Sequence, residues 1–247
     1  MILTFKDKKY NLANPLDISI AMHKGFGQVN AFYAPPFRVQ PVKEGDFIGA
    51  TKLGGPVNFM NININPHGNG THTECIGHIS LEEYNINECL KEFFHNACLI
   101  SVYPSLEENG DKLIDRKHIE AMFDKDPNIN ALIIRTLPND SEKCARNYSG
   151  NNPPYFSNEA MNYILECGIE HLLLDLPSVD REQDEGKLAC HKIFWKYPEE
   201  PRLHCTITEL IFVPDSIRDG NYLLQIQIPN ICLDAVPSRP FLYQAID

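Results

Sequence analysis

The sequence has little that would attract a nucleic acid or a membrane. Basic residues are in the minority, since 22 Lys and Arg stand against 33 Asp and Glu and give a net charge of −11. Nucleic acids and anionic membranes bind basic surfaces, so neither is expected as a partner. No apolar run approaches the ~18–20 residues of a membrane helix. The opening residues, MILTFKDKKYNL, also lack the apolar core of a secretory signal.

Paired cysteine motifs are missing as well. The eight cysteines are scattered, and no C-x-x-C pair suggests a zinc knuckle or a redox motif. The 247 residues, 43% of them hydrophobic, can bury a sizeable core without disulfides. Reduced thiols in a cytoplasm are the simplest account of this composition. We therefore predict a cytoplasmic protein.

Strand-like and helix-like segments alternate along the chain, with neither a low-complexity linker nor an internal repeat. The patterns predict helices over residues 81–95, around 115–124, and over 158–167, the last between a Ser157 cap and a Gly168 stop. Alternating or continuous apolar residues predict strands in VNFMNININP, ALIIRTLP, HLLLDLP, TITELIFVP and NYLLQIQIP. The sequence thus predicts a mixed α/β fold, with residues 1–247 forming one domain.

The segment NPHGNGTHTECIGHIS, residues 65–80, holds three of the nine histidines of the chain. His72 and Glu74 lie two residues apart, so on an extended chain they point the same way. Imidazole and carboxylate together suit a divalent transition metal. His78 is then a third ligand or a general base. The alternative is a polar loop that hydrogen-bonds to itself, but three histidines with a carboxylate favour a metal site.

A metal site usually draws ligands from several segments. His191 follows a strand and a polar loop, where functional groups gather. Glu209 is a lone acid in an apolar strand, and a buried acid needs a cation, unless it points outwards on an edge strand. The other histidines are predicted at the surface or, for His171, at the end of a strand: His23, His95, His118, His171 and His204.

Several motifs in order resemble the cyclase family of metal-dependent hydrolases, which includes kynurenine formamidase and isatin hydrolase. The family signature is H-x-G-T-H-x-D-x-P-x-H, and Gly70, Thr71, His72 and His78 match it. Further elements of the series follow downstream at Arg135-Thr136, Asp175 to Asp180 (DLPSVD), Ala189 to His191, Glu209-Leu210 and Asp234 to Arg239. The resemblance covers the chain from about residue 15 to its end.

The resemblance implies a single compact domain of the swivelling β/β/α type with a mixed sheet. It implies metal ligands at His72, Glu74, His191 and Glu209, with residue 74 bridging where two ions bind. His78 would be the catalytic base. Zinc or manganese, as one or two ions, would be the cofactor, and the protein would form a homodimer or a homotetramer.

Two residues in the strand-end motif are further candidates. Ser178 and Asp180 are predicted to border the substrate pocket, and their alternative role is a turn or a helix cap. The substrate itself would be a small molecule.

The chain departs from the signature in three places. The first histidine stands at His67, one residue early, because Gly68 occupies its position; the aspartate is Glu74, and the proline is Ile76. On a strand, a shift of one residue reverses the side-chain direction. A glycine-rich turn would have to bring His67 inwards for it to serve as a ligand.

These observations predict a metal-dependent hydrolase of a C–N bond in a small cyclic or N-acyl amide, similar to an arylformamidase. The same site would serve a lactone or ester hydrolase or a cyclase. A non-catalytic binding protein on the same fold is the alternative from another class, and both the displaced histidine and Glu74 favour it.

Overall fold

The computed structural model describes residues 1–246, which form five α-helices and nineteen strands. The helices are α1 (Pro66–Asn69), α2 (Ile86–Cys89), α3 (Arg116–Glu120), α4 (Asn158–Glu166) and α5 (Ala189–Trp195). The strands in chain order are β1 (Ile2–Phe5), β2 (Lys8–Asn11), β3 (Leu16–Asp17), β4 (Arg38–Pro41), β5 (Lys43–Glu44), β6 (Phe47–Ile48), β7 (Met60–Asn63), β8 (His72–Glu74), β9 (Phe94–Val102), β10 (Ser105–Leu106), β11 (Lys112–Ile114), β12 (Ala131–Thr136), β13 (Tyr155–Phe156), β14 (His171–Leu174), β15 (Thr206–Glu209), β16 (Gly220–Gln227), β17 (Ala235–Pro237), β18 (Arg239–Tyr243) and β19 (Ala245–Ile246). The predicted mixed α/β fold is confirmed, whereas one domain over 1–247 stays a prediction, since residue 247 lies outside the described part.

A nine-stranded mixed sheet forms the centre of the molecule. Its strand order is β17-β8-β15-β14-β12-β9-β16-β18-β3. The four central strands, β15, β14, β12 and β9, run parallel, and the flanking strands pair with them antiparallel. Parallel strands end at the same edge, so the residues that follow β14 and β15 meet at one side of the sheet.

The central strands are buried on both faces, as continuous apolar runs predict. In β12, Leu132 and Ile134 belong to the hydrophobic cluster that includes the buried residues of α3, α4 and α5. Ile133, between them, belongs to the cluster on the opposite face, which includes α2 and β16 residues. Packing on both faces fixes these strands and therefore the positions of the polar residues at their ends.

Helix α4 confirms the predicted capping signals. The Ser157 side chain accepts a hydrogen bond from the Ala160 backbone, and Gly168 follows the helix with φ of +79°. A left-handed residue after a helix favours glycine because glycine has no Cβ. The predicted strands in residues 131–138, 171–177, 206–214 and 221–229 are also confirmed.

The predicted helix over residues 81–95 is wrong. Only Ile86–Cys89 is helical, and the chain becomes extended at Leu90 and enters β9 at Phe94. Phe94 and His95, at the end of the predicted helix, pair with Gln225 and Leu224 of β16. This strand pairing outweighs the weak local preference for a helix at the end of the segment. His95 therefore lies in a buried strand and not on an exposed helix.

The predicted strand near residue 60 is present as β7, but it lies outside the main sheet. It pairs only with β4, in a two-stranded ribbon, and all four of its residues are exposed. Within residues 1–246, no helix is long and apolar enough to cross a membrane.

Two buried histidines, on β9 and β14, lie against each other with their ring planes tilted by 42°. The His95 and His171 ring centroids lie 3.8 Å apart, and Nδ1 of His171 bonds Oγ1 of Thr206 at 2.9 Å. Burial lowers the pKa of His95 to about 4, partly opposed by the nearby Glu92 carbonyl and Glu170 charge. Burial, together with His95, also lowers the pKa of His171 well below its ordinary value.

This pair predicts an acid-dependent loss of stability. Below about pH 6.5 the unfolded chain takes up a proton that folded His95 does not accept until about pH 4, so the free energy of unfolding falls as the pH is lowered. For His95 alone we expect a loss of about 2 kcal/mol between pH 7 and pH 5. Urea unfolding across this range should show a flatter profile for His95→Phe than for the natural chain. Parallel profiles would contradict the prediction.

Candidate metal centre

The register of β8 against β15 places two polar side chains side by side. His72 pairs with Glu209, and Glu74 pairs with Ile207. The end of this register next to the His72–Glu209 pair is held by Thr71, whose hydroxyl donates to the Leu210 carbonyl and accepts from the Ile20 backbone. Because His72 and Glu74 are two apart on the strand, both reach the same buried centre.

His72 is oriented by its own backbone. Its Nδ1 bonds the Gly70 carbonyl at 3.0 Å, so Nδ1 carries the proton and Nε2 offers a lone pair. That Nε2 lies 3.4 Å from Oε2 of Glu209. Burial and the charge of Glu74 raise the pKa of Glu209, partly offset by His72. Glu209 is thus a buried acid that faces inwards, as predicted, and does not point outwards on an edge.

Glu74 lies at the middle of the cluster with each oxygen directed to a different histidine. Oε1 is 3.3 Å from Nε2 of His191, and Oε2 is 3.1 Å from Nδ1 of His67. Burial alone would raise the pKa of Glu74, but the charge of His78 and the contacts with His191 and His67 hold it well below its ordinary value. A fully buried carboxylate is therefore kept ionised by its neighbours.

His191 comes from α5 and is held by a carboxylate from the loop after β14. Oδ2 of Asp180 accepts a 2.6 Å hydrogen bond from Nδ1 of His191, and Oδ1 accepts from the Cys190 backbone at 2.8 Å. Asp180 thus caps the first turn of α5, where Leu188 offers no capping side chain. Burial alone would lower the pKa of His191, but Asp180 and Glu74 raise it to about 10.

His67 reaches the centre from α1, so the displaced histidine does point inwards. Residues 66–69 form one helical turn and not a strand, and the rule that a shift of one residue reverses the side chain does not apply. Gly68 cannot be replaced by a histidine without movement, because a Cβ there would lie 2.3 Å from Cβ of Ala34. In this chain the turn therefore presents residue 67, not residue 68.

His78 ends a 3₁₀ turn that follows β8. Its Nδ1 lies 3.5 Å from Oδ2 of Asp234 and 3.9 Å from Oε2 of Glu74, so it is more distant from Glu74 than His67 is. Its ring is partly exposed to a cavity of about 410 Å³. Both polar and apolar side chains line this cavity, and they include Phe32, His67, Pro177, Ser178, Leu188 and Glu209.

The donor set fits a divalent cation. Four buried ligand atoms have no hydrogen-bond partner: Nε2 of His72, both carboxylate oxygens of Glu74, and Oε1 of Glu209. Buried polar atoms without partners are costly, and a cation would satisfy all four. Among residues 1–246, two groups have ligand atoms within 4.8 Å of one another, His67-Glu74-His78 and His72-Glu74-Glu209. They share Glu74, as a carboxylate between two ions would be shared.

The structure brings together every predicted metal ligand, namely His67, His72, Glu74, His191 and Glu209, with His78 beside them. Ser178 lines the cavity, and its hydroxyl accepts from the Asp180 backbone at 3.1 Å. His204 remains at the surface beside Glu170. Asp234 also belongs to the site, although the sequence predicted no role for it; it lies in the closing motif, directly before β17, which pairs with β8.

The mixed α/β fold thus buries a cluster of histidines and carboxylates beside a small cavity, and the donor atoms of this cluster fit a divalent cation. The family model named Cyclase matches residues 11–181, more than half of the chain, and the chain belongs to this family. No curated protein matches the sequence.

Solved structures share the fold at low sequence identity. A structure described as a potential metal-dependent hydrolase with cyclase activity is 14% identical, with a TM-score of 0.66 over 95% of this chain and 99% of that chain. A predicted metal-dependent hydrolase from Bacillus stearothermophilus is 14% identical, with a TM-score of 0.62 over 93% and 98%. Isatin hydrolase A from Labrenzia aggregata, bound to benzyl benzoate, is 14% identical, with a TM-score of 0.66 over 94% of each chain. The cyclase-like fold predicted from the motifs is confirmed.

Proposed function

We propose that the protein is a metal-dependent hydrolase that cleaves a C–N bond in a small cyclic or N-acyl amide. One observation supports this most strongly: two groups of closely spaced ligand atoms share Glu74, and four buried atoms of these residues have no hydrogen-bond partner within the protein. The family, and the isatin hydrolases among its structural neighbours, agree with this chemistry.

Each residue of the centre has a role in the proposal. One or two divalent ions, either zinc or manganese, would be held by His72, Glu74, Glu209, His191 and His67. A bound ion of this kind acidifies water and polarises a carbonyl oxygen. His78 faces the cavity and takes the proton from the attacking water, then passes it to the leaving nitrogen. Asp180 holds the His191 ring through Oδ2, while its Oδ1 accepts from the Cys190 backbone.

The cavity above the centre suits a small molecule with an apolar face. Its volume of about 410 Å³ lies within the range of small-ligand sites. Phe32, Pro177 and Leu188 provide apolar walls, and Ser178 provides a hydroxyl at the strand end. We therefore place the body of the substrate against these walls, with Ser178 and the nearby Asp180 loop at its border and the scissile amide over His78.

Metal analysis followed by a substrate panel tests the proposal. Protein purified without chelator should contain zinc or manganese, and it should hydrolyse at least one member of a panel with N-formylkynurenine, isatin and simple cyclic and N-acyl amides. Matched esters and lactones in the same panel distinguish the alternative hydrolases. Absence of metal, together with unchanged thermal stability on adding zinc or manganese, would refute the metalloenzyme. Bound metal without turnover of any substrate would favour a binding protein.

Two further expectations accompany the proposal. Assembly as a homodimer or homotetramer and a cytoplasmic location stay predictions. The exposed apolar residues of the β7 region, Phe59, Met60 and Ile62, support assembly, since a two-stranded ribbon is marginally stable by itself.

A further inference from the structure

Each ligand histidine of the centre has one ring nitrogen held by the protein and the other directed at a buried carboxylate. His72 is held by the Gly70 carbonyl and faces Glu209. His191 is held by Asp180 and faces Glu74. A partner on the outer nitrogen fixes the tautomer and the ring orientation of a metal-binding histidine. A histidine with one nitrogen held by the protein and the other facing a buried carboxylate is therefore a candidate metal ligand.

This arrangement recurs at His67, with Asp234 as the outer partner. Nε2 of His67 bonds Oδ2 of Asp234 at 3.0 Å, while Nδ1 lies 3.1 Å from Oε2 of Glu74. This ring is turned relative to those of the other ligand pairs: Nδ1 faces the centre here, whereas Nε2 faces the centre in His72 and His191. A histidine one residue early thus reaches the site through its nearer nitrogen.

We propose that Asp234 is a positioning residue that makes His67 a metal ligand through Nδ1. This inference rests on the proposed metal-dependent function. Ala34 leaves no room for a side chain at position 68, so the histidine stands one residue earlier, at position 67. The contact with Asp234 compensates for this displacement.

The fold holds Asp234 in place independently of His67. Asp234 directly precedes β17, in which Ala235 pairs with Glu74 of β8. The Asp234 carbonyl accepts a 3.0 Å hydrogen bond from the Cys75 backbone. The Asp234 backbone is therefore fixed one residue before β17, the strand that pairs with β8, and its carboxylate can orient a ring that comes from the separate turn α1.

Asp234 also contacts His78, so the two histidines have to be separated experimentally. The Oδ2 atom is 3.0 Å from His67 but 3.5 Å from His78, and only the first contact has hydrogen-bond geometry. If Asp234 acts through His67, removing the Asp234 carboxylate should weaken metal binding only while His67 is present. If Asp234 acts through its charge alone, the same change should weaken metal binding both with and without His67.

A double-mutant cycle on the full chain tests this, with Zn²⁺ affinity measured by competition with a chelating dye. Asp234→Asn should weaken Zn²⁺ binding by about 10–100-fold, which is typical of a lost outer partner. His67→Ala should weaken it at least as much, and the double variant should be no weaker than His67→Ala. With Co²⁺ as the probe, both single variants should change the visible spectrum in the same direction.

Glu88→Gln is the matched control, since Glu88 lines the same outer groove as Asp234 and contacts no histidine. Glu88→Gln should bind Zn²⁺ within about twofold of the natural affinity. Unfolding of each variant by denaturant in the presence of a chelator should show that the variant is folded. The inference is overturned if Asp234→Asn binds Zn²⁺ as tightly as the natural chain, if the two losses multiply, or if Asp234→Asn keeps the natural Co²⁺ spectrum. If the natural chain binds neither ion, the proposed function fails as well.

Discussion

Glu74→Gln should abolish metal binding. The change keeps the volume of the side chain but removes its charge and one of its two acceptor oxygens. Both oxygens are needed, because Oε1 faces His191 and Oε2 faces His67. Outer partners alone are worth about 10–100-fold in metal affinity, so loss of the shared inner carboxylate should cost more than about 100-fold.

Thermal unfolding with and without added zinc measures this effect. At a free metal concentration near 100 times the natural dissociation constant, binding should stabilise the natural chain by about 2.7 kcal/mol. Glu74→Gln should gain less than about 0.4 kcal/mol under the same conditions. Glu170→Gln serves as the control, since Glu170 lies beside His204, away from the centre. Equal stabilisation of Glu74→Gln and the natural chain would exclude Glu74 as a ligand.

The candidate ligands could be predicted from sequence where they lie on regular structure. His72 and Glu74 are two residues apart on β8, and the alternation of a strand places them together. Glu209 could be identified because it is a lone acid in an apolar strand, and its side chain is buried in the structure. These positions follow from short-range patterns that a single sequence displays.

The positions that sequence reasoning left open, as at His67, or missed, as at Asp234, depend on contacts between distant segments. The inward direction of His67 depends on a helical turn whose Gly68 packs against Ala34, and the pattern of glycines alone does not specify that turn. Asp234 joins the site through the pairing of β17 with β8, two strands separated by most of the chain. Strand order across a sheet is not contained in local periodicity, so such a residue becomes visible only in the fold.

The failed helix over residues 81–95 has the same cause. Residues 81–95 contain the polar and apolar spacing of a helix, but β9 occupies the position between β12 and β16 and needs residues from Phe94 onwards. Burial of Ala97 and Leu99 on one face and Cys98 and Ile100 towards the other follows the period of a strand. At the end of this segment, strand pairing in the sheet determined the structure, because the local preference for a helix was weak.

His78→Ala should separate catalysis from metal binding. General-base catalysis contributes about 10²–10⁴-fold, so turnover of whichever panel substrate the natural chain hydrolyses should fall by that factor. Metal content should remain, because Nδ1 of His78 is 3.9 Å from Glu74 while His67 lies at 3.1 Å from the same oxygen. Added imidazole should restore part of the activity, since it supplies the missing base inside a cavity that His78 partly lines.

The opposite result has a defined meaning, because His67, Glu74 and His78 also form a possible three-ligand group. If His78→Ala loses metal together with activity, His78 is a ligand and another group must act as the base. His204→Ala is the control, since His204 is exposed and its Nε2 lies 3.4 Å from Oε1 of Glu170. Its metal content and turnover should equal those of the natural chain. Retained metal, lost turnover and rescue by imidazole together would identify His78 as the base. Removal of a ligand would disturb the ion, and imidazole from solution could not replace a purely structural residue.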